Sequence, residues 1–222
     1  LRQVRSVAET AQRALMHPLP HRIDALALRA ALLGAFRELV HLEPLLTRIA
    51  ERLDDRARRQ ITAVDGVQDG DRPDGTPGAL FTERFATALL VEFPPGEPVA
   101  RLVHCGHPEP FLVGAGRVRG LLPDRPGAPL GLGDLLETAP AMQTVPFGPG
   151  DLLLYADGFI EARDRRGRFF GLAARLDAHA GRNLEAMAAG LRRDLVRHVR
   201  GDLDDDAAPV ALERLPEAPV AP

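Results

Sequence analysis

Apolar positions recur with two different periods along the chain. In residues 1–16, Leu1, Val4, Ala8, Ala11 and Leu15 are spaced by threes and fours, as on a one-sided or coiled-coil helix, and Pro18 and Pro20 end the pattern. Two more helical stretches follow at 30–40 and 43–61, the second with Pro44 at a first-turn position and Leu45, Leu46, Ile49 and Leu53 on one face. Arg52, Asp54, Asp55, Arg56, Arg58 and Arg59 form a mixed-charge run, the pattern of a solvated helix face. Residues 65–78, rich in Asp, Gly and Pro, predict a long mobile loop.

From residue 85 the pattern turns to strands. Residues 85–93 and 99–104, joined by Pro94-Pro95-Gly96-Glu97, predict a hairpin. Residues 111–113 and 117–122 flank Gly114-Ala115-Gly116, a glycine turn with no helix pattern after it and so no dinucleotide fingerprint. A short strand at 144–147 precedes Leu152-Leu153-Leu154-Tyr155, whose unbroken bulk reads as a strand buried on both faces. After a turn at Gly167, helices are expected at 172–180 and from an N-cap at Asn183, the latter with Leu184, Met187, Ala188, Leu191, Leu195 and Val199 on one stripe and Gly201 as its stop. The last strand, 207–212, contains Pro209, which suits an edge or a bulge, and 217–222 reads as a disordered tail.

Candidate chemistry gathers at the end of the Leu-rich strand. Asp157-Gly158 is a turn pair that holds a carboxylate at the mouth of a rigid element, Gly158 leaves room for something to approach, and Glu161 adds an acid within one helical turn. Asp202, Asp204, Asp205 and Asp206 cluster before the last strand, a pattern that solvated turns also show. Asp69, Asp71 and Asp74 fail as a calcium loop because Pro73 sits at a ligand position and no glutamate closes the loop. Cys105 and His107 lie on one side of an extended chain, but with Gly106 and Pro108 around them a buried cysteine and a histidine bracing a turn are expected, not a thiol nucleophile.

Composition narrows the class. The 222 residues are 45% hydrophobic, enough for one sizeable core or one domain with a helical appendage. Net charge is −3 and all 28 bases are arginines, without the basic excess of a nucleic-acid binder. The single cysteine excludes an internal disulfide and fits a reducing, cytoplasmic setting. No apolar run reaches 18 residues and no signal-peptide pattern occurs; with Leu1 as first residue, the expectation is a fragment of a longer protein.

The stretch 150–164, Gly-Asp-Leu-Leu-Leu-Tyr-Ala-Asp-Gly-Phe-Ile-Glu-Ala-Arg-Asp, resembles the GDxLLLYTDGxxEAR motif of the SpoIIE/RsbU-like branch of the metal-dependent (PPM-type) protein serine/threonine phosphatases, with Ala156 in place of Thr. Further landmarks follow the family order: Phe85-Ala86-Thr87-Ala88-Leu89-Leu90 resembles FVTALL, Cys105-Gly106-His107-Pro108-Glu109-Pro110 resembles AGHPPP, and Pro129-Leu130-Gly131-Leu132 resembles PLGL. Phe170-Gly171-Leu172 resembles the start of FGLERL, and Asp205-Asp206-Ala207-Ala208 resembles DDxA. The resemblance implies an α+β fold, a sandwich of two mainly antiparallel sheets flanked by helices, with an N-terminal linker helix at 1–20 and the phosphatase-like domain at 21–216. It also implies hydrolysis of phosphoserine or phosphothreonine by a water activated between two Mn²⁺ or Mg²⁺ ions. It assigns Asp157 and Asp205 as metal ligands, Gly158, Glu161 and Asp206 to the surroundings of the site, and Asp206 as ligand if the register slips by one. A phosphorylated regulator such as an anti-sigma-factor antagonist is the implied substrate, in a bacterial signalling pathway, with an upstream sensor domain and a homodimer through the N-terminal helix. Neither a nucleic acid nor a membrane is expected as a partner.

One departure matters. The GGD and GDVxGHG segments, which carry metal-site acids in the family, have no counterpart, and the chain passes through residues 28–31 directly into a helix pattern. Either the protein has lost that hairpin or the sequence closes over it. If it is lost, the sheets expose edges, and a pseudophosphatase serving as a binding or relay module becomes the alternative to an enzyme.

Overall fold

The computed structural model describes residues 23–68, 85–114, 116–135, 139–149, 152–155, 159–160, 162–199 and 210–215. The expected N-terminal helix, most of the 65–78 loop and the C-terminal tail lie outside them. The chain divides into two compact units, Leu19–His107 with Pro123–Pro146, and Leu1–Pro18 with Pro108–Leu122 and Phe147–Pro222.

In the first unit, helices α1 (Ile23–Leu42) and α2 (Leu46–Gln68) accompany a sheet of β1 (Ala88–Glu92), β2 (Val99–Cys105) and β5 (Met142–Pro146), in the order β1-β2-β5 and antiparallel throughout. The hairpin of the sequence is present, with Ala88 opposite Cys105 and Glu92 opposite Arg101, and it turns at Gly96, whose φ of 75° suits only glycine comfortably. Central strand β2 buries every side chain from Leu102 to Cys105. Leu28 and Leu32 of α1, with Leu46, Ile49, Ala50, Leu53 and Ala57 of α2, pack into one core with Leu90, Val103, Cys105 and Leu130. Helix α1 starts at Ile23 instead of residue 30 and runs unbroken through 28–31, because Leu28 and Leu32 are one turn apart on the same buried stripe. Helix α2 likewise runs past residue 61 and takes in Asp65 and Gly66, which the composition had placed in a loop.

In the second unit, β3 (Phe111–Gly114), β4 (Arg117–Gly120), β6 (Leu152–Tyr155) and β7 (Val210–Glu213) form an antiparallel sheet in the order β4-β3-β6-β7. Helices α3 (Leu172–His179) and α4 (Leu184–Val199) share a core with it: Phe111 and Val113 from β3, Leu172 and Leu176 from α3, Met187, Leu191 and Leu195 from α4, and Phe159 and Phe170 from the connections. Asn183 caps α4 as its sequence position predicts, its Oδ1 accepting the Ala186 N–H at 2.8 Å. The architecture is α+β, with one antiparallel sheet in each unit. Burying Phe159, which is fully enclosed, removes enough apolar surface to contribute about 2–3 kcal/mol.

Candidate functional site

Asp157, Gly158, Glu161, Asp205 and Asp206 all lie outside the described residues, so the site is approached from the strands that lead to it. β6 lies between β3 and β7, and its register with β7 runs from Leu152 opposite Glu213 to Tyr155 opposite Val210. The C-terminal end of β6 and the N-terminal end of β7 therefore adjoin at one edge of the sheet. Asp157 follows Tyr155 by two residues and Asp205 precedes Val210 by five. Beyond Gly158 in the sequence, Phe159 meets Phe170 edge-to-face with ring centroids 5.8 Å apart. Two landmarks separate in sequence, the Asp157 stretch and Phe170-Gly171-Leu172, thus join in one core.

The other landmarks meet in the first unit. Pro129-Leu130-Gly131-Leu132 lies along the start of β1, with Ala86 and Leu130 exchanging N–H donations at 3.0 and 2.8 Å. Gly106 donates to the Gly127 carbonyl at 2.9 Å, and Gly127 returns a bond to the His104 carbonyl at 3.1 Å. Gly106 adopts φ +66°, and a Cβ there would fall 2.4 Å from Pro129 Cγ, so the turn requires glycine twice over. His107 Nδ1 lies 3.0 Å from Thr87 Oγ1, which ties the CGHPEP turn to the FATALL strand.

Sequence reasoning missed the residue that holds this assembly. Asp54 was placed on a solvated face, yet its side chain is only 13% exposed, and Oδ1 accepts the Gly131 and Gly133 N–H groups at 2.8 and 3.1 Å. Arg58 Nε lies 3.0 Å from Asp54 Oδ2, and its terminal nitrogens reach Asp55 and Asp134. The available signal was spacing: Asp54 sits four residues after Ala50 and three before Ala57, both fully buried, and so flanks the buried stripe.

Electrostatics exclude a thiol–histidine pair here. Burial pushes the Cys105 thiol up to about 12, with the Asp54 carboxylate adding to the effect, and Cys105 is 1% exposed. Burial, and then the neighbouring His104, holds His107 down at about 4. His104, 2% exposed on β2, is lowered by burial too, against a smaller opposing effect of Gln143 on β5. Both shifts favour the neutral ring, and His107 braces the turn through Thr87.

The donor chemistry of Asp157 and Asp205 fits hard divalent cations, which prefer carboxylate oxygen. Among the described residues, no group of three or more His, Cys, Asp or Glu side chains is placed to hold a metal ion. No described helix is long and apolar enough to cross a membrane.

Residues 21–215 match the family model of Stage II sporulation protein E (SpoIIE). The chain belongs to the SpoIIE family. No curated protein compared with it matches. Among solved structures, that of the RsbU and RsbW domains of a Mycobacterium tuberculosis protein is similar at 21% identity with a TM-score of 0.66, covering 90% of this chain and 51% of that one. This chain thus spans about half the length of that relative. The SiaA PP2C domain of Pseudomonas aeruginosa is similar at 17% identity and a TM-score of 0.63, over 87% of this chain and 71% of that one. The PP2C phosphatase domain of SpoIIE from Bacillus subtilis, with a fragment of its regulatory domain, gives 13% identity and a TM-score of 0.59, over 88% and 52%. The family match makes the chain a SpoIIE/RsbU-like member of the PPM-type phosphatases, and the structural likenesses give it their fold.

Proposed function

We propose that this chain is the catalytic domain of a metal-dependent phosphoserine/phosphothreonine phosphatase acting on a bacterial regulatory phosphoprotein in the cytoplasm. The observation that carries the reading is the β6–β7 register, which brings the end of one motif strand and the start of the other to the same sheet edge. Asp157 and Asp205 would supply carboxylate ligands to Mn²⁺ or Mg²⁺ there, with Gly158 leaving space and Glu161 and Asp206 nearby. A divalent cation, when bound, supplies the positive charge that makes water a competent nucleophile at neutral pH and offsets charge on the phosphoryl oxygens. The protein's own part is to bring the C-terminal end of β6 beside the N-terminal end of β7 and to hold Phe159 in the core. An RsbU domain solved together with an RsbW domain supports a phosphorylated regulator of the anti-sigma-factor antagonist kind as substrate.

A second reading has its own observation. Helix α1 is continuous where the family carries its GGD and GDVxGHG acids, which fits a pseudophosphatase that retains the fold as a binding module. Phosphate release from a phosphoserine peptide with added Mn²⁺ separates the two. Turnover that Asp157→Asn lowers by at least about a hundredfold supports the enzyme. No metal-dependent turnover from folded protein supports the binding module.

A further inference from the structure

The second unit carries a basic cleft that the phosphatase reading does not use. Residues 164–168 form a turn closed at both ends: Asp164 donates its N–H to the Arg168 carbonyl and Gly167 donates to the Asp164 carbonyl, each at 2.9 Å. The Asp164 carboxylate fills the inside of the turn, Oδ1 accepting the N–H groups of Arg166 and Arg168 at 2.8 and 2.9 Å and Oδ2 accepting Arg168 Nε at 2.7 Å. The Arg168 backbone N–H and then its guanidinium hold Asp164 down at about 2, so it stays ionised. On the far side, His198 Nε2 lies 2.9 Å from the Arg168 carbonyl oxygen and donates to it, fastening the turn to the last turn of α4.

Between this turn, α3 and α4 opens a cleft of about 440 Å³ whose lining holds five arginines and two carboxylates. Both carboxylates are committed inside the fold: Asp164 to its turn, and Asp194 to His179 Nε2 at 2.9 Å and Arg197 at 3.6 Å. Among the described residues, no carboxylate lies within 4.0 Å of the Arg166 or Arg175 guanidinium nitrogens; Arg175 acts on Asp194 only at longer range and lies over the Phe170 ring, 5.8 Å from its centroid. Helix-dipole complementarity accounts for Arg197 and His198 in the last turn of α4. It does not account for Arg175, which sits in the first turn of α3 where a cation is disfavoured, or for Arg166, which belongs to no helix. Guanidinium forks grip phosphoryl oxygens in pairs, and the cleft falls in the range of roughly 300–1,000 Å³ typical of ligand sites, roomier than a free phosphate ion needs.

We propose that this cleft docks a phosphorylated segment of a protein partner, with Arg166 and Arg175 gripping the phosphoryl group and Asp164 and Asp194 as positioning residues. Docking does not depend on metal and stands whether or not the chain hydrolyses phosphoesters.

The test is binding of a fluorescein-labelled phosphoserine peptide to the full chain in EDTA, read by anisotropy, with folding of each variant checked by its thermal melt. Arg166→Ser/Arg175→Ser is expected to weaken binding at least about tenfold, as loss of charge-assisted bonds does. Arg192→Ser, which removes a charge outside the cleft lining, and Asp157→Asn are each expected to change it less than twofold. An equal loss in Arg192→Ser, or equal affinity for the unphosphorylated peptide, would overturn the proposal. So would inorganic phosphate binding as tightly as the peptide, which would make the cleft a free-phosphate site. Loss on Asp157→Asn alone would place the peptide at the proposed catalytic edge and overturn it as well.

Discussion

On the proposed function, the two units use their family motifs for different ends. In Leu19–His107 with Pro123–Pro146, the motif residues are structural: Gly106 fits against Pro129, His107 against Thr87, and Gly131 donates to Asp54. In the unit containing Phe147–Pro222, Asp157 and Asp205, proposed above as metal ligands, follow β6 and precede β7 in the sequence, and an apolar core forms around Phe159, Leu176 and Leu191. On the proposed function, a motif match marks two kinds of residue, those that make the backbone geometry possible and those that do chemistry. Only perturbation separates them.

The largest expected effect follows from that contrast. Asp157→Asn should abolish metal-dependent phosphate release, by about a hundredfold or more, while the melting midpoint stays within a few degrees. Asp54→Ala should do the reverse. It leaves the Gly131 and Gly133 N–H groups without their acceptor and removes a carboxylate partner of Arg58, a loss of about 2–3 kcal/mol in a urea melt. If Asp54→Ala unfolds at the same urea concentration as the parent, the division between structural and chemical motif residues fails in the first unit.

A smaller effect concerns pH. His104 and His107 have folded-state pKa values below the ordinary histidine value, so the unfolded chain takes up protons that the folded chain refuses. The sign is fixed by this: the stabilisation is complete above about pH 6.5 and is lost as pH falls from there toward the folded value, about 4 for His107. Each histidine contributes at most about 1.4 kcal/mol per pH unit in that window, less for the partly exposed His107. Urea melts at pH 7 and pH 5 should therefore differ, and His107→Gln should reduce the difference. An unchanged difference would mean that His107 titrates normally.

Much of this was legible in the chain. The hairpin of β1 and β2 could be read because Pro94-Pro95-Gly96-Glu97 interrupts two apolar runs, and Asn183 could be read as a cap because a helical stripe starts beside it. The role of Asp54 was hidden because its partners are backbone N–H groups at Gly131 and Gly133, far away in sequence, and local pattern carries no information about such bonds. The start of α1 was hidden for a related reason. Leu26-Ala27-Leu28 reads equally well as strand or helix in isolation, and packing of Leu28 with Leu32 against α2 decides for helix. The proposed catalytic acids were visible only as motif members, since two aspartates nearly fifty residues apart have no periodic signature.

The smallest expected effect tests how tightly the second unit is closed between its helices. Gly190 of α4 faces the His179 ring of α3, and a Cβ at residue 190 would come within 2.5 Å of His179 Cε1. The ring has little room to yield, since His179 is 9% exposed and its Nε2 lies 2.9 Å from Asp194. Overpacking of this kind costs about 1–3 kcal/mol, while replacing a mid-helix glycine by alanine returns about 1 kcal/mol of helix propensity. Gly190→Ala should therefore destabilise by about 1 kcal/mol in a urea melt, and His179→Ala in the same chain should relieve the clash and unmask the propensity gain. If Gly190→Ala alone raises stability, the helices have room to part, and the close α3–α4 approach that also positions Asp194 at the basic cleft is looser than the geometry indicates.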